Sequence, residues 1–365
     1  MRVREPEASR KGEGVTSGLI AIANELLEAD IAPLGAELFS LRDAAGREMM
    51  TDADPRWWTG RAPLLFPIVG RLADDRYRLG AAEYSLPQHG FARRREFALI
   101  DKQASRARFR LEADAETRAV YPFAFELIVD FALEGAALAI CVTVANRGDE
   151  DMPFSFGFHP AFAWPLPFGA CADAHRIYFD TDEPAPVRRV APGTGLIAPG
   201  TEPSPVSGRE LAPASGMFER DALIWDRLAS RGLSWGADAT PGLRIEFPDT
   251  PWLALWQKPG AHYLCIEPWA GWRTRSALLA RYGRNPASCG CGRRSSANSA
   301  CGSRLRLFLS SGLPARSADR HDACGIKWWR PDAAWHQEFR YRRQAGITNH
   351  RSRGALVDAL DFPGD

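Results

Sequence analysis

The stretch FELIVDFALEGAALAICVTVAN, residues 125–146, decides the fold class. Its two halves, 125–133 and 137–146, are rich in Val, Ile and Phe, flank a turn at Glu134-Gly135, and run into the turn residues Asn146-Arg147-Gly148-Asp149. β-branched and aromatic side chains suit a pleated, half-buried surface, so the stretch reads as a long β-hairpin. Just upstream the period of two is explicit. Ala107, Phe109, Leu111 and Ala113 alternate with Arg106, Arg108, Arg110 and Glu112, the pattern of a strand with one face in the core and one in water.

The same reading extends in both directions. Strands are expected at residues 19–23, at 37–41 before the turn Asp43-Ala44-Ala45-Gly46, at 77–79 against 83–86, and at 243–247, 252–256 and 263–267. Short strands with turn residues between them, and scarcely any helical period, point to an antiparallel all-β sandwich or barrel. Residues 64–69 form an apolar run broken by Pro67, which suits a buried loop or irregular edge better than a regular element. Residues 184–213 are rich in Pro, Gly, Thr and Ser and read as a surface excursion within one domain.

Composition sets outer limits. A chain of 365 residues, 45% hydrophobic and 25% charged, has ample material for a large core. The net charge of +1 conceals an asymmetry: residues 273–365 hold 17 Lys and Arg against 7 Asp and Glu, leaving the rest of the chain acidic. An acidic body gains nothing from nucleic acid or an anionic membrane, so a small neutral ligand is the expected partner. Residues 1–14 are charged without the apolar core of a secretory signal, and no run reaches the roughly 18 apolar residues of a membrane span, so a cytoplasmic location is expected. Cys141, Cys171 and Cys265 show no paired spacing that would make a disulfide frame or zinc site.

The chemistry sits in short motifs: Arg61-Ala62-Pro63 with Phe66-Pro67 and Gly70-Arg71-Leu72, Gln88-His89-Gly90-Phe91-Ala92-Arg93, Gly157-Phe158-His159-Pro160-Ala161-Phe162, and Cys265-Ile266-Glu267-Pro268-Trp269. A carboxylate and imidazoles in apolar surroundings are the parts needed to move protons near neutral pH. Glu267, at the end of an apolar strand, is expected to be desolvated, which raises its pKa and strengthens it as a base. Nearby aromatic residues, among them Trp57, Trp58, Phe162 and Trp269, could supply apolar faces for a pyranose ring. Each residue singly also fits a structural role: a core histidine on a backbone carbonyl, a glutamate paired with arginine, or, for Asp221, a helix cap or strand start.

Taken together and in this order, the motifs resemble the aldose 1-epimerase, or galactose mutarotase-like, family over about residues 19–272. The resemblance implies a large antiparallel β-sandwich whose concave face holds a sugar, with no metal and no organic cofactor. It implies an isomerase that interconverts the α and β anomers of a hexose. Glu267 would take the proton of the anomeric hydroxyl and His159 would protonate the ring oxygen; Arg71 and His89 would bind and polarise sugar oxygens, and Asp221 would hold hydroxyls. Two alternatives accompany it: a hexose-6-phosphate 1-epimerase using Arg93-Arg94-Arg95, and a non-catalytic carbohydrate-binding protein on the same fold. Retention of both an acid and a base favours catalysis over binding alone, and neither oligomeric state nor sugar identity is legible.

Three segments follow: residues 1–15 as a disordered lead, 16–272 as the sandwich domain, and 273–365 as an atypical Arg- and Cys-rich tail. From Arg273 onward the alternation largely stops and Cys289, Cys291, Cys301 and Cys324 crowd together without a standard zinc spacing. In the family a last strand follows Glu-Pro-Trp and completes the sheet, and nothing after Trp272 resembles it. The expectation is therefore a missing closing strand, with residues 305–309 a poor substitute, and a reading frame shifted near Trp272. The alternative is a disordered basic arm for acidic partners.

Overall fold

Alternation of burial builds the central hairpin. Phe125–Glu134 and Ala137–Asn146 pair antiparallel, Glu134 opposite Ala137 and Asn146 opposite Phe125. Phe125, Leu127, Val129, Phe131 and Leu133 are buried while the residues between them are not fully covered, so one face meets the core. The turn falls one residue later than expected, at Gly135 and Ala136, because Gly135 takes φ +58°, a left-handed value cheap only without a Cβ.

The structure, a computed structural model, describes residues 18–271, 289–291 and 300–310, all within the unit that spans residues 1–316. Expectations for residues 1–15, and for the tail apart from 289–291 and 300–310, lie outside the described residues. A nine-stranded sheet runs in the order Glu210–Leu211, His175–Phe179, Gly232–Ala237, Gly242–Glu246, Ala300–Ser310, Ala137–Asn146, Phe125–Glu134, Arg106–Glu112, Ala98–Lys102. A second sheet runs Leu223–Trp225, Trp252–Trp256, Tyr263–Ala270, Phe156–Phe158, Leu64–Leu65, with Ala161–Ala163 also paired to Tyr263–Ala270. The pairs are antiparallel. One apolar cluster joins the two layers, for it contains Leu127, Val129 and Ile140 from the first with Phe158, Leu253 and Ile266 from the second. The fold is thus an antiparallel β-sandwich, as expected.

The expectation of a missing closing strand is corrected. Ala300–Ser310 lies between Gly242–Glu246 and Ala137–Asn146 and pairs with both, Leu307 opposite Leu138 on one side and Ile245 on the other. The physical reason is again a period of two: Ser303, Leu305 and Leu307 are buried, while Arg304 and Arg306 point away from the core. Arg304 pairs bidentately with Asp249 at 2.7 and 3.1 Å, and Leu305 lines an apolar void together with Leu38, Leu64, Phe131 and Ile140. Without this strand both neighbours would expose unpaired backbone in the middle of the sheet. Cys289–Cys291 likewise pairs with Met152–Phe154.

Residues 64–69 are irregular after a two-residue strand at Leu64–Leu65, in keeping with Pro67. The excursion 184–213 folds back on itself through the bridges Val187 to Glu202 and Val190 to Ile197. Its base is fixed by the buried Glu183, which accepts from the amides of Ala229 and Ser230 at 3.1 and 2.6 Å. A short helix not expected from sequence, Ala115–Val120, is held by a reciprocal cap: Asp114 accepts from the Thr117 amide and the Thr117 hydroxyl accepts from the Asp114 amide.

Leu305 and Leu307 are each 1% exposed. Truncating either to alanine is expected to lower unfolding free energy by about 2–5 kcal/mol. Urea denaturation showing either variant as stable as the parent would contradict the placement of this strand.

Candidate active site

Tyr263–Ala270 is buried along its whole length because both of its faces are covered. Leu264 and Ile266 enter the cluster between the sheets, whereas Tyr263, Cys265 and Trp269 belong to separate clusters on the opposite face. Glu267 shares that second face, two residues from Cys265 and two from Trp269. Its cross-strand neighbour is Ala254, and Cys265 stands opposite Ala161, so small side chains leave room above the strand. The room is roofed by aromatic rings: Trp58 meets the rings of Trp256 and Tyr263 at 5.7 and 5.9 Å between centroids.

His159 enters between Phe156–Phe158 and Ala161–Ala163. The adjacent Pro160 carbonyl accepts from the Ile266 amide at 3.1 Å, which pins the turn to the strand that carries Glu267. The result is direct contact: His159 Nε2 lies 3.2 Å from Glu267 Oε2, with 9% and 3% of the two side chains exposed. Trp58 covers the imidazole at 4.9 Å and Trp256 meets it edge-on at 6.1 Å.

Burial acts on the two groups in opposite directions. It holds the His159 imidazole down at about 3, helped by the charge of Arg93, while its own carbonyl opposes the shift. It pushes the Glu267 carboxyl well above the ordinary carboxylate range, and the negative charge of Asp221 adds to this. The Trp269 indole N–H opposes that rise, although it falls short of hydrogen-bond geometry. A lone charge buried here would cost several kcal/mol, and both shifts favour the neutral forms of the two groups. A neutral imidazole that accepted a proton from Glu267 at Nε2 would carry its own on Nδ1, an atom with no hydrogen-bond partner among the described residues.

His89 approaches from the other side, its ring at 5.8 Å and nearly perpendicular to that of His159. Its backbone donates to the Gly70 carbonyl at 2.8 Å and its Nδ1 accepts from the Gly70 amide at 3.1 Å. A neutral ring accepting there holds its proton on Nε2, which lies 3.3 Å from Gln88 Nε2. Burial, then the neighbouring His159, keep its pKa well below the ordinary value. Gly90 makes the loop possible, because a Cβ there would fall 2.2 Å from the Phe66 carbonyl oxygen, and its φ is +69°.

The structure thus brings together three of the five expected residues: His159, Glu267 and His89. Asp221 is exposed and its own side chain accepts from the Ala222 amide at 2.7 Å; it bears on Glu267 through charge. Arg71 is engaged elsewhere, its guanidinium bound bidentately to Asp75 at 2.8 and 2.8 Å, with Gly195 of the excursion packed on its stem. Other residues stand around the pair, and of Trp256, Tyr263, Cys265 and Arg93 only Arg93 figures in the sequence expectations for a site, as part of the alternative phosphate site. Trp256 and Tyr263 form the roof with Trp58, Cys265 stands beside Glu267, and Arg93 is half-buried, its Nε without a hydrogen-bond partner among the described residues and its pKa lowered to about 10 by burial. The alternation along 263–267 that identified a strand already places Cys265 on the Glu267 face.

The sequence profile of aldose 1-epimerases matches residues 18–281. Protein LacX of Lactococcus lactis subsp. lactis is 33% identical over 264 residues, 70% of this chain and 88% of that protein. A galactose mutarotase-like protein from Lactobacillus casei superimposes with a TM-score of 0.72 at 28% identity, over 80% of this chain and 100% of that one. A galactose mutarotase related enzyme from Lactobacillus acidophilus gives a TM-score of 0.72 at 29% identity, over 80% and 98%.

Gly157 faces Trp269 across the strand pair, and a Cβ on it would lie 2.5 Å from the indole Cδ1. Gly157→Ala is expected to displace Trp269 and destabilise by about 1–3 kcal/mol. A denaturation midpoint equal to that of the parent would show that the indole does not rest where the structure puts it.

Proposed function

The chain belongs to the aldose 1-epimerase family, and on that footing we propose that it interconverts the α and β anomers of a free hexose, with Glu267 and His159 as the base and acid. One observation carries this reading: a carboxyl and an imidazole 3.2 Å apart and screened from water. Binding alone does not call for such a pair, and a glycoside hydrolase would need two carboxylates across the scissile bond.

A bound sugar supplies the hydrogen bonds that a buried ion pair lacks, so a proton passes from Glu267 to His159 when hydroxyls replace the pair's direct contact. Glu267 then removes the proton of the anomeric hydroxyl while His159 delivers its proton to the ring oxygen. The bond between C1 and the ring oxygen breaks and C1 becomes an aldehyde. Both proteins groups are now neutral, which is the distribution of the unliganded site, so the resting pair suits the open-chain sugar. Rotation about the bond between C1 and C2 presents the other aldehyde face, and reversal of both transfers closes the opposite anomer. His89, through Nε2–H, polarises a sugar oxygen without carrying charge, and Trp58 provides an apolar face. The sugar-binding roles expected of Asp221 and Arg71 would require Arg71 to exchange its contact with Asp75 for a sugar oxygen.

An uncharged hexose is favoured over its 6-phosphate by how the arginines are used. Arg95 pairs with Asp114 and Glu116, Arg94 donates to the Gly90 carbonyl, Arg93 donates to the Gln88 carbonyl and Arg71 pairs with Asp75. A phosphate would have to compete with the carboxylates that already hold Arg71 and Arg95, and with the backbone carbonyls that hold Arg93 and Arg94, before binding a guanidinium fork.

NMR exchange spectroscopy or polarimetry on glucose and galactose tests the reading. Glu267→Gln and His159→Asn should each slow anomer exchange by about 10²–10⁴-fold, the range for general acid–base groups. The double variant should be little slower than either single one, because the two groups act as a unit. Rates equal to the parent's in both single variants would end the proposal.

A further inference from the structure

Cys265 is fully buried beside the proposed acid and base, and ring opening gives it nothing to do. Its sulfur, a ring nitrogen of His159 and a carboxylate oxygen of Glu267 all lie within 4.8 Å of one another. The arrangement follows from the backbone. Cys265 and Glu267 leave the same face of Tyr263–Ala270, two residues apart, and Ala161, paired with Cys265, is two residues beyond His159. Apolar groups enclose the sulfur, namely Ala161, Ala261 and Tyr263 with Trp58 and Trp256 packed on them.

We propose that Cys265, His159 and Glu267 form a capture site for a soft divalent cation of the Zn²⁺ or Cd²⁺ type, and that its occupancy switches off the acid–base pair. The inhibitory half of this rests on the function proposed above; the binding half does not. Thiolate, imidazole and carboxylate are the donors such cations take, at about 2.3, 2.0–2.1 and 2.0–2.2 Å respectively. Donors around a tetrahedral centre of that size stand about 3.3–3.8 Å apart, so side-chain rotations of about an ångström close the site. A fourth position remains for water or a sugar oxygen. The cation takes the carboxylate oxygen and the imidazole nitrogen that would otherwise move protons, so it acts as an inhibitor and not as a cofactor. Hard ions are a built-in control: Mg²⁺ and Ca²⁺ need six or more oxygen ligands, and this triad offers one carboxylate.

The full chain and its Cys265→Ala variant are titrated with Cd²⁺, following thiolate-to-metal charge transfer and uptake by equilibrium dialysis; Cys265→Ser, closer in volume, is read alongside. The other six cysteines contribute equally to all three proteins, so the difference between them reports Cys265. The parent is expected to take up one Cd²⁺ more per chain, and its anomer exchange should fall with added Zn²⁺, recover with chelator and ignore Mg²⁺. Both variants should exchange anomers in metal-free buffer and need at least about ten-fold more Zn²⁺ for the same loss, since loss of a direct ligand costs no less than loss of an outer-shell one. Equal Cd²⁺ uptake by parent and variants overturns the site, and equal Zn²⁺ sensitivity overturns its inhibitory role. If no protein exchanges anomers at all, the failure belongs to the catalytic reading, and the Cd²⁺ difference still decides the binding site.

Discussion

The contact between His159 Nε2 and Glu267 Oε2, 3.2 Å long and shielded from water, is the constraint around which the surrounding structure is arranged. Two ionisable groups so deeply buried are tolerable only as a pair, because either one charged alone would lose its hydration without a partner. Holding them together requires a strand covered on both faces. One face of Tyr263–Ala270 is consumed by the core of the sandwich, and the other is closed by the tryptophans and by Tyr263. The small residues Ala254, Ala161 and Gly157 are the complement of this design, since bulk at those positions would fill the space or push Trp269 aside.

That strand is only as firm as the two layers behind it. Ala300–Ser310 joins two otherwise separate groups of strands in the nine-stranded sheet, and its leucines reach the cluster that also holds Phe158, the residue before His159. The link from tail to site is therefore mechanical: the strand closes the sheet, the sheet supports the core, and the core carries the backbone that positions the acid and the base. A segment whose composition departs so sharply from the body can still serve, because a sheet asks of an inserted strand little more than alternating burial and free backbone groups.

Much of this was legible in the chain. The hairpin at 125–146, the strand at Trp252–Trp256 and the class of fold follow from period-two patterns that burial enforces. His175–Phe179 and Gly232–Ala237 were not read, because strands buried on both faces lose the alternation that marks a surface strand; all six residues of the second are buried. Ala300–Ser310 is masked for a different reason: its Arg and Leu alternate properly, but they stand inside a stretch rich in Arg, Ser and Cys. Within the site, the motifs located His159, Glu267 and His89. They could not show that Arg71 is bound to Asp75 four residues on, or that Cys265 stands in reach of the pair, since both depend on how loops and strand faces meet.

The central claim is that one proton is shared by two neutral groups in the unliganded protein. Nitrogen-15 NMR of the histidine rings at neutral pH, with His159 assigned by its loss in His159→Asn, reports this directly. The account predicts a neutral His159 imidazole protonated on Nδ1, with Nε2 accepting a hydrogen bond. An imidazolium, or a neutral ring protonated on Nε2, would contradict it.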